Sequence, residues 1–143
     1  MLLQVTINDV RHAVIAALED AFPDIPVGGA EIKRNLAPPC FCVELLEASH
    51  TQELGRRFVR SLPFDVQYFA ANPDSEALYD VAEQLTGLLQ WIEAGGRMTR
   101  GMGIRFQVVE DVLHFYVEYQ VHVWAPQPEV PAMQTLDVRE GLK

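Results

Sequence analysis

Hydrophobic and polar residues alternate without interruption between Leu113 and Ala125. The odd-numbered positions are apolar or aromatic, whereas the even-numbered positions run from His114 to Trp124 and are mostly polar. A period of two predicts a β-strand that turns one face to the core. At about 3.3 Å per residue this strand would be about 40 Å long, roughly twice the usual length. We therefore expect it to be the central element of a sheet.

Shorter strands are predicted upstream of it. Residues 25–33 read as a short strand, and its partner, residues 40–48, follows two prolines. The polar segment Ser49–Gly55 is interpreted as a mobile hairpin loop that orders on assembly. Residues 57–70 form the third strand, in which Pro63 predicts an edge position or a bulge.

A terminal antiparallel hairpin is predicted around the long strand. Residues 97–100 favour a short strand and residues 104–109 a clearer one, because Ile104, Phe106 and Val108 alternate with other side chains. Glu110 and Asp111 then supply the turn into the long strand.

Two segments have helical periodicity. Thr6 caps the first helix, residues 7–22, and Asp9 lies three residues further on, where it can complete a capping box. The second helix is predicted over residues 75–94, ending at Gly95-Gly96 and covering the sheet. Its apolar stripe comprises Leu78, Val81, Ala82, Leu85, Leu88, Leu89 and Ile92.

The order helix, strands, helix, hairpin predicts an α+β fold with a mostly antiparallel, twisted sheet and both helices packed on one face. Residues 1–125 form this single domain. Pro126, Pro128 and Pro131 favour an extended linker, so residues 126–143 are a Pro-rich linker and a C-terminal docking tail. The tail carries Leu136, Val138 and Leu142, which we expect to bury against a neighbour.

Composition and net charge exclude several classes of function. The 143 residues are 49% hydrophobic and 22% charged, as in a globular protein, and the net charge is −9. That charge argues against a protein that grips nucleic acid phosphates or anionic lipid. We expect no signal peptide, no membrane span and a reducing, cytoplasmic origin, since Cys40 and Cys42 make no disulfide framework.

Catalytic, metal and cofactor sites are not predicted. His114, Glu118 and His122 share a strand face, but residues four apart in a strand stand about 13 Å apart, too far to share one zinc ion. Cys40 and Cys42 are interpreted as buried small hydrophobic residues. Residues 95–103 are rich in glycine but lack the Lys-Ser/Thr of a phosphate-binding loop. Without a nucleophile elbow either, we expect a protein that is not an enzyme.

Interface residues are the remaining candidates. Arg56, Arg57 and Arg60 form one basic cluster that could face a nucleic acid, a neighbouring subunit or solvent, and Arg97 and Arg100 could contact an acidic partner. The polar face of the long strand adds aromatic anchors of the kind enriched at interfaces. The candidates are Arg56, Arg57, Arg60, Arg97, Arg100, Tyr116, Glu118, His122, Trp124, Leu136, Val138 and Leu142.

Seven segments together, in their order and spacing, resemble the phage tail terminator family of prophages of Gram-positive bacteria. They are TINDV, EIKRNLAPPCFCVELL, RRFVRSLPFDVQYF, SEALYDVAEQLTGLLQWI, GRMTRG, VLHFYVEYQVHVW and MQTLDVREGLK. Two features depart from the family's pattern: the turn Glu110-Asp111-Val112 lacks a glycine, and the linker APQPEVPA is richer in proline.

The resemblance implies a subunit without an active site or cofactor that assembles into a ring, usually a hexamer. Such a ring caps the tail tube, stops its elongation and offers a surface to head-completion or neck proteins, while DNA passes through the bore without specific binding. The protein would then lie in the virion tail at the head–tail junction, and in the bacterial cytoplasm during assembly. Another head–tail connector, or a small enzyme or ligand-binding domain with a closed pocket, are the alternatives.

Overall fold

The computed structural model of the chain describes residues 4–29 and 37–125. Two helices and seven strands lie within these residues. In chain order they are α1 (Ile7–Ala21), β1 (Val27–Gly29), β2 (Cys40–Leu45), β3 (Ser49–Leu54), β4 (Arg57–Phe69), α2 (Ser75–Leu89), β5 (Trp91–Ala94), β6 (Arg97–Val109) and β7 (Val112–Trp124). The predictions for residues 30–33 and for the tail, residues 126–143, lie outside the described residues.

The strands form one sheet in the order β1-β2-β4-β7-β6-β5, with β3 also paired to β4. Only the β1–β2 pair is parallel among the pairs of the described residues, so the predicted mostly antiparallel sheet is confirmed. The long strand is confirmed as β7, and it pairs with β4 along its full length, from Trp124 opposite Arg57 to Val112 opposite Phe69.

Helix α1 begins as the sequence predicts. The hydroxyl of Thr6 accepts a hydrogen bond from the backbone N–H of Asp9, and the Asp9 carboxylate accepts one from the N–H of Thr6, both at 3.0 Å. This capping box satisfies two helix-end donors that would otherwise lack partners. The helix then buries Val10, Val14 and Leu18 against the sheet.

Helix α2 ends earlier than predicted. It stops at Leu89, and Trp91–Ala94 form β5, which pairs with Arg97–Arg100. Gly95 and Gly96 have φ of 58° and 79°, the left-handed values that a two-residue hairpin turn requires. The two glycines are therefore a hairpin turn and not a helix stop. Ile92 is buried as expected, but on a strand in which Trp91 and Glu93 are exposed.

Segment Ser49–Gly55 was predicted as a loop, and this is wrong. Ser49–Leu54 form β3, which pairs with β4 from Ser49 opposite Ser61 to Leu54 opposite Arg57. All six residues of β3 are exposed. The polar composition therefore reflects exposure to solvent, while pairing with β4 supplies the backbone hydrogen bonds that hold the strand.

Pro63 lies in β4, which is an interior strand, so the predicted edge position is wrong for the strand as a whole. Locally, Pro63 lies opposite the interval between the end of β2 at Leu45 and the start of β3 at Ser49. The carbonyl of Pro63 accepts a hydrogen bond from Leu46 at 2.8 Å. Because N–H and C=O of one residue point to the same side of a strand, the missing N–H of Pro63 faces this interval and costs no ladder bond.

The two predicted strands before the Glu110–Asp111 turn are one strand, β6. Its register with β7 shifts between Met102 and Arg105, a bulge that makes the segment appear interrupted in sequence. The predicted turn is confirmed, and Glu110 and Asp111 both have positive φ, 50° and 63°.

The core lies between the sheet and the two helices, which pack on one face as predicted. Its largest fully buried side chains include Tyr119, Phe41, Phe64, Phe115, Leu18, Leu62, Leu78, Leu85, Leu89 and Leu113.

The Tyr119 hydroxyl donates to the backbone carbonyl of Leu89 at 2.6 Å, and burial raises the pKa of this phenol. Cys40 and Cys42 are buried, as predicted. In the described part of the chain, neither helix has the length and apolar character that spanning a membrane requires.

Candidate interaction surface

Three strand ends lie at one end of the sheet and place both arginine clusters at that end. Arg57, at the start of β4, lies opposite Trp124 at the end of β7. The first residues of β6 reach the same region, because Gly101 lies opposite Tyr119 of β7. We call this region the arginine end and define it by Arg56, Arg57, Arg60, Arg97 and Arg100. These five are among seven arginines and lysines in residues 4–29 and 37–125, so positive charge is concentrated here.

The first cluster is engaged within the subunit. Arg57 lies 3.6 Å from the carboxylate of Glu53, which also lies 3.5 Å from His122. Arg60 donates to His50 at 3.1 Å, and the His50 ring stacks on Phe58 at 4.4 Å. These contacts orient the side chains along the β3–β4 hairpin. Surface ion pairs of this type contribute little to stability, typically below about 1 kcal/mol.

The second cluster has no such partner. Arg97 and Arg100 are exposed, and in the described ranges no carboxylate lies within ion-pair distance of either guanidinium. Two unpaired arginines in a protein of net charge −9 leave a local positive potential at this end. Guanidinium groups favour carboxylates because their planar N–H donors match the two carboxylate oxygens.

Exposed apolar side chains accompany the arginines. Among the residues that the structure describes, Leu54 and Met98 are the most exposed large hydrophobic ones, at 76% and 64%, and Trp91 and Trp124 are about half exposed. The guanidinium of Arg56 lies 5.8 Å from the centre of the Trp124 ring. Tryptophan, methionine and arginine are the residue types enriched in protein–protein interfaces. The composition of the arginine end is therefore that of a contact surface.

The opposite end of the sheet is acidic. Glu110 and Asp111 form the β6–β7 turn there, and β4 ends next to it with Phe69 opposite Val112. The chain continues from β4 into α2, whose N-cap is Asp74 and whose first turn contains Glu76. We call Asp74, Glu76, Glu110 and Asp111 the acidic end. Arginines are thus concentrated at one end of the long strands, where Glu53 and Glu93 also lie, whereas the turn and the helix start at the other end carry acidic side chains.

A cleft of about 310 Å³ opens within the arginine end. The part of β6 from Gly101 to Val109 pairs with β7, whereas Arg97–Arg100 pair with β5. The cleft forms where β6 separates from β7. Gly101 allows this close packing, since a Cβ at this position would lie 2.7 Å from the carbonyl oxygen of Leu89. The cleft is lined by Val5, Trp91, Arg97, Met98, Thr99, Arg100, Gln120, Val121 and His122.

A separate polar network lies on the sheet face opposite the helices, nearer to the acidic end, where Gln67 lies opposite His114. His114 lies 3.1 Å from Asp65, and Gln67 donates to Asp65 at 3.0 Å and to Glu44 at 2.7 Å. One carboxylate oxygen of Asp65 and the amide oxygen of Gln67 are buried without a hydrogen-bond partner.

Two predicted interface residues, Tyr116 and Glu118, lie on the same face, near the middle of β7. Glu118 accepts from Ser61. The hydroxyl of Tyr116 accepts from Gln107 at 3.2 Å, and the guanidinium carbon of Arg105 lies 4.9 Å from the ring centre. The side chains of Tyr116 and Glu118 thus have hydrogen-bond partners within the subunit.

His114, Glu118 and His122, which share one face of β7, have three different partners. His114 contacts Asp65, Glu118 contacts Ser61, and His122 contacts Glu53. In the part of the chain that the structure describes, no group of three or more His, Cys, Asp or Glu residues is arranged to hold a metal ion.

Seven predicted interface residues lie together at the arginine end: Arg56, Arg57, Arg60, Arg97, Arg100, His122 and Trp124. Leu136, Val138 and Leu142 lie outside the described residues. Sequence reasoning missed Leu54, Trp91 and Met98. The sequence predicts a loop at Leu54 and a helix at Trp91, whereas the structure exposes Leu54 on β3 and Trp91 on β5. The Gly95-Gly96 dipeptide is the signal that could have revealed the β5–β6 hairpin.

Comparison with known families matches residues 9–131 to a model described as phage tail terminator protein. The chain belongs to the phage tail terminator family. This family is one of structural proteins of the phage tail, so the chain is a component of a phage virion tail. The predicted resemblance is thereby confirmed at the level of the family.

Solved structures agree with this fold, and 24 of their chains match the terminator chain. One of them, which carries only a sequence identifier as its name, has a TM-score of 0.51 and 17% sequence identity. The match covers 85% of this chain and 99% of that one. At this identity the likeness shows the fold alone. No curated protein matches the chain.

Proposed function

We propose that this terminator subunit assembles into a ring, a hexamer, that caps the tail tube and stops its elongation. The ring then offers its other side to head-completion or neck proteins at the head–tail junction. The observation that carries the proposal is the charge polarity of the subunit. A cap has two axial sides that contact different partners, and the arginine end and the acidic end provide two chemically different surfaces.

The free edges of the sheet support a ring. Strands β3, β4, β7 and β6 lie side by side. In the described residues, β3 pairs only with β4, and the part of β6 from Met102 to Val109 pairs only with β7. These two edges lie on opposite sides of the subunit and can serve as different patches of one repeated contact. A heterologous contact of this kind generates a closed ring when the rotation between subunits allows it.

The proposed partners follow from the assembly. They are other copies of this chain, the tail tube protein, and head-completion or neck proteins. The negative net charge suits a bore through which DNA passes without specific binding. Neither catalysis nor a cofactor is part of this role, and assembly takes place in the bacterial cytoplasm.

The mass of the purified full-length protein, alone and mixed with tail tube protein, tests the proposal. We expect a species of about six times 16.1 kDa, either alone or on tube ends, and tubes that stop growing when it is added. Tube growth that continues at the same rate in excess terminator protein would overturn the capping role. Binding to neck proteins without any effect on tubes would indicate a different connector.

A further inference from the structure

The cleft of the arginine end borders an edge of β7 that no strand of the described residues pairs with. Pairing with β6 stops at Tyr119, so in the described ranges no strand lies beside Gln120–Trp124 on the side opposite β4. The N–H of Ala125 donates to Arg56, toward β4, at 2.8 Å. Because backbone N–H groups alternate in direction along a strand, those of Trp124 and His122 point away from β4, toward the cleft.

A side chain already takes the place of a strand at one of these positions. The N–H of Trp124 donates to the side-chain oxygen of Gln4. The backbone of His122 has no such substitute among the described residues, although it borders the cleft. An extended chain can satisfy such groups by adding a strand to the edge.

The residues that line the cleft indicate which side chains the added strand must have. Arg97 and Arg100 line the cleft without a carboxylate partner, and Val5, Trp91 and Val121 supply apolar surface. Two acids near the cleft already have partners within the subunit: Glu53 contacts His122 and Arg57, and Glu118 accepts from Gln120. A volume of about 310 Å³ admits a few side chains of an extended segment rather than a folded domain.

We propose that this cleft binds an extended acidic segment of a partner protein, which adds a strand to the β7 edge and places carboxylates on Arg97 and Arg100. The rest of this chain is strongly acidic and repels such a segment, so the cleft also determines where it docks. The inference rests on the proposed function only in taking the partner from the neighbouring tail or neck proteins.

A fluorescent synthetic peptide that alternates Glu or Asp with Val or Leu tests the proposal by anisotropy with the full-length protein. The matched peptide carries Gln and Asn in place of the acids. We expect saturable binding of the acidic peptide, weakened by salt, and at least tenfold weaker binding of the amide peptide. Equal binding of both peptides would overturn the proposal.

Two variants locate the site. The double variant Arg97→Gln, Arg100→Gln should weaken acidic-peptide binding about tenfold, which corresponds to about 1.4 kcal/mol. Arg105→Gln lies on the same strand but outside the cleft, and it should change binding less than twofold. Urea unfolding of each variant establishes that it is folded. An equal loss in both variants would indicate non-specific charge attraction and contradict the assignment.

Two further measurements test strand addition and the choice of occupant. Peptide binding should slow amide hydrogen exchange at His122, and unchanged exchange there would overturn strand addition. A peptide with the sequence of residues 132–143 of this chain should compete poorly; tight competition would assign the cleft to the chain's own tail. Tube capping is measured separately, so loss of capping with intact peptide binding would contradict the proposed function and leave this inference standing.

Discussion

Tyr119 donates its hydroxyl to the carbonyl of Leu89 at 2.6 Å, which ties the central strand β7 to the last residue of α2. Both side chains are fully buried. The last carbonyls of a helix lack intrahelical partners, so this bond satisfies a group that would otherwise be buried without one. It also holds the end of α2 at the point where the chain turns into β5.

Replacing Tyr119 by Phe should therefore destabilise the fold. The change leaves the Leu89 carbonyl without its donor, and a buried unsatisfied group of this kind costs about 1–3 kcal/mol. Urea unfolding of the variant and of the unchanged protein measures the difference. A loss below about 0.5 kcal/mol would mean that another donor reaches Leu89.

Tyr119 should also make stability depend on alkaline pH. Burial raises the pKa of its phenol above the ordinary value of 10.0, so the neutral form is favoured in the folded state. Its contribution is complete below pH 10 and is lost as the pH rises above that value, because only the unfolded chain ionises there. The slope reaches at most about 1.4 kcal/mol per pH unit for one proton. The Tyr119→Phe variant should show a shallower decline; identical slopes would contradict this.

Leu85→Ala should cost about 2–5 kcal/mol, because Leu85 is fully buried between α2 and the sheet and its truncation leaves a cavity. Leu54→Ala is the matched control: the same substitution at 76% exposure should cost less than about 0.5 kcal/mol. Chemical denaturation of both variants provides the comparison. Similar losses at the two positions would remove Leu85 from the core.

Alanine substitutions at two glycines should change the stability of the protein in opposite directions. Gly101→Ala should destabilise the protein by about 1–3 kcal/mol, since the new Cβ would lie 2.7 Å from both the Leu89 carbonyl oxygen and Val117. Gly87→Ala, in α2 with open space around it, should stabilise by up to about 1 kcal/mol because alanine favours helix. Thermal unfolding of the two variants checks both signs. A tolerated Gly101→Ala would mean that β6 does not approach α2 so closely.

Trp124→Ala should separate assembly from folding. Trp124 is half exposed at the arginine end beside Arg56, so its loss should change the free energy of unfolding by less than about 1 kcal/mol while weakening attachment to tube ends. Tyr79→Ala is the control, because Tyr79 is equally exposed but lies on α2. Attachment can be counted by electron microscopy of tubes. If both variants attach like the unchanged protein, the arginine end is not the tube contact.

Features controlled by neighbouring residues were predictable. The alternation of β7, the capping box of Thr6 and Asp9, and the Glu110–Asp111 turn are all written in short stretches of sequence, and all three are present. Their physics is local: periodicity, one pair of side-chain hydrogen bonds and a two-residue turn. The family itself was also accessible from the order of short stretches, and the match to the family covers residues 9–131.

The secondary structure of two other segments was decided by pairing with distant strands. Ser49–Leu54 is a strand only because β4 offers it a partner, and its own residues are all polar or exposed. The segment Trp91–Ala94 has apolar residues compatible with a helix, yet pairing with β6 makes it a strand. In both cases tertiary context overrode local preference.

The candidate site shows the same division. The sequence contains both arginine clusters, but they are far apart along the chain and nothing in either stretch says that they meet. Their meeting depends on the register that places Arg57 opposite Trp124 and Gly101 opposite Tyr119. Register between distant strands is set by the shared core and not by either strand alone, since a one-residue slip would turn every side chain to the other face. The residue types of the surface were thus determined locally, whereas its existence as one surface was decided by tertiary pairing.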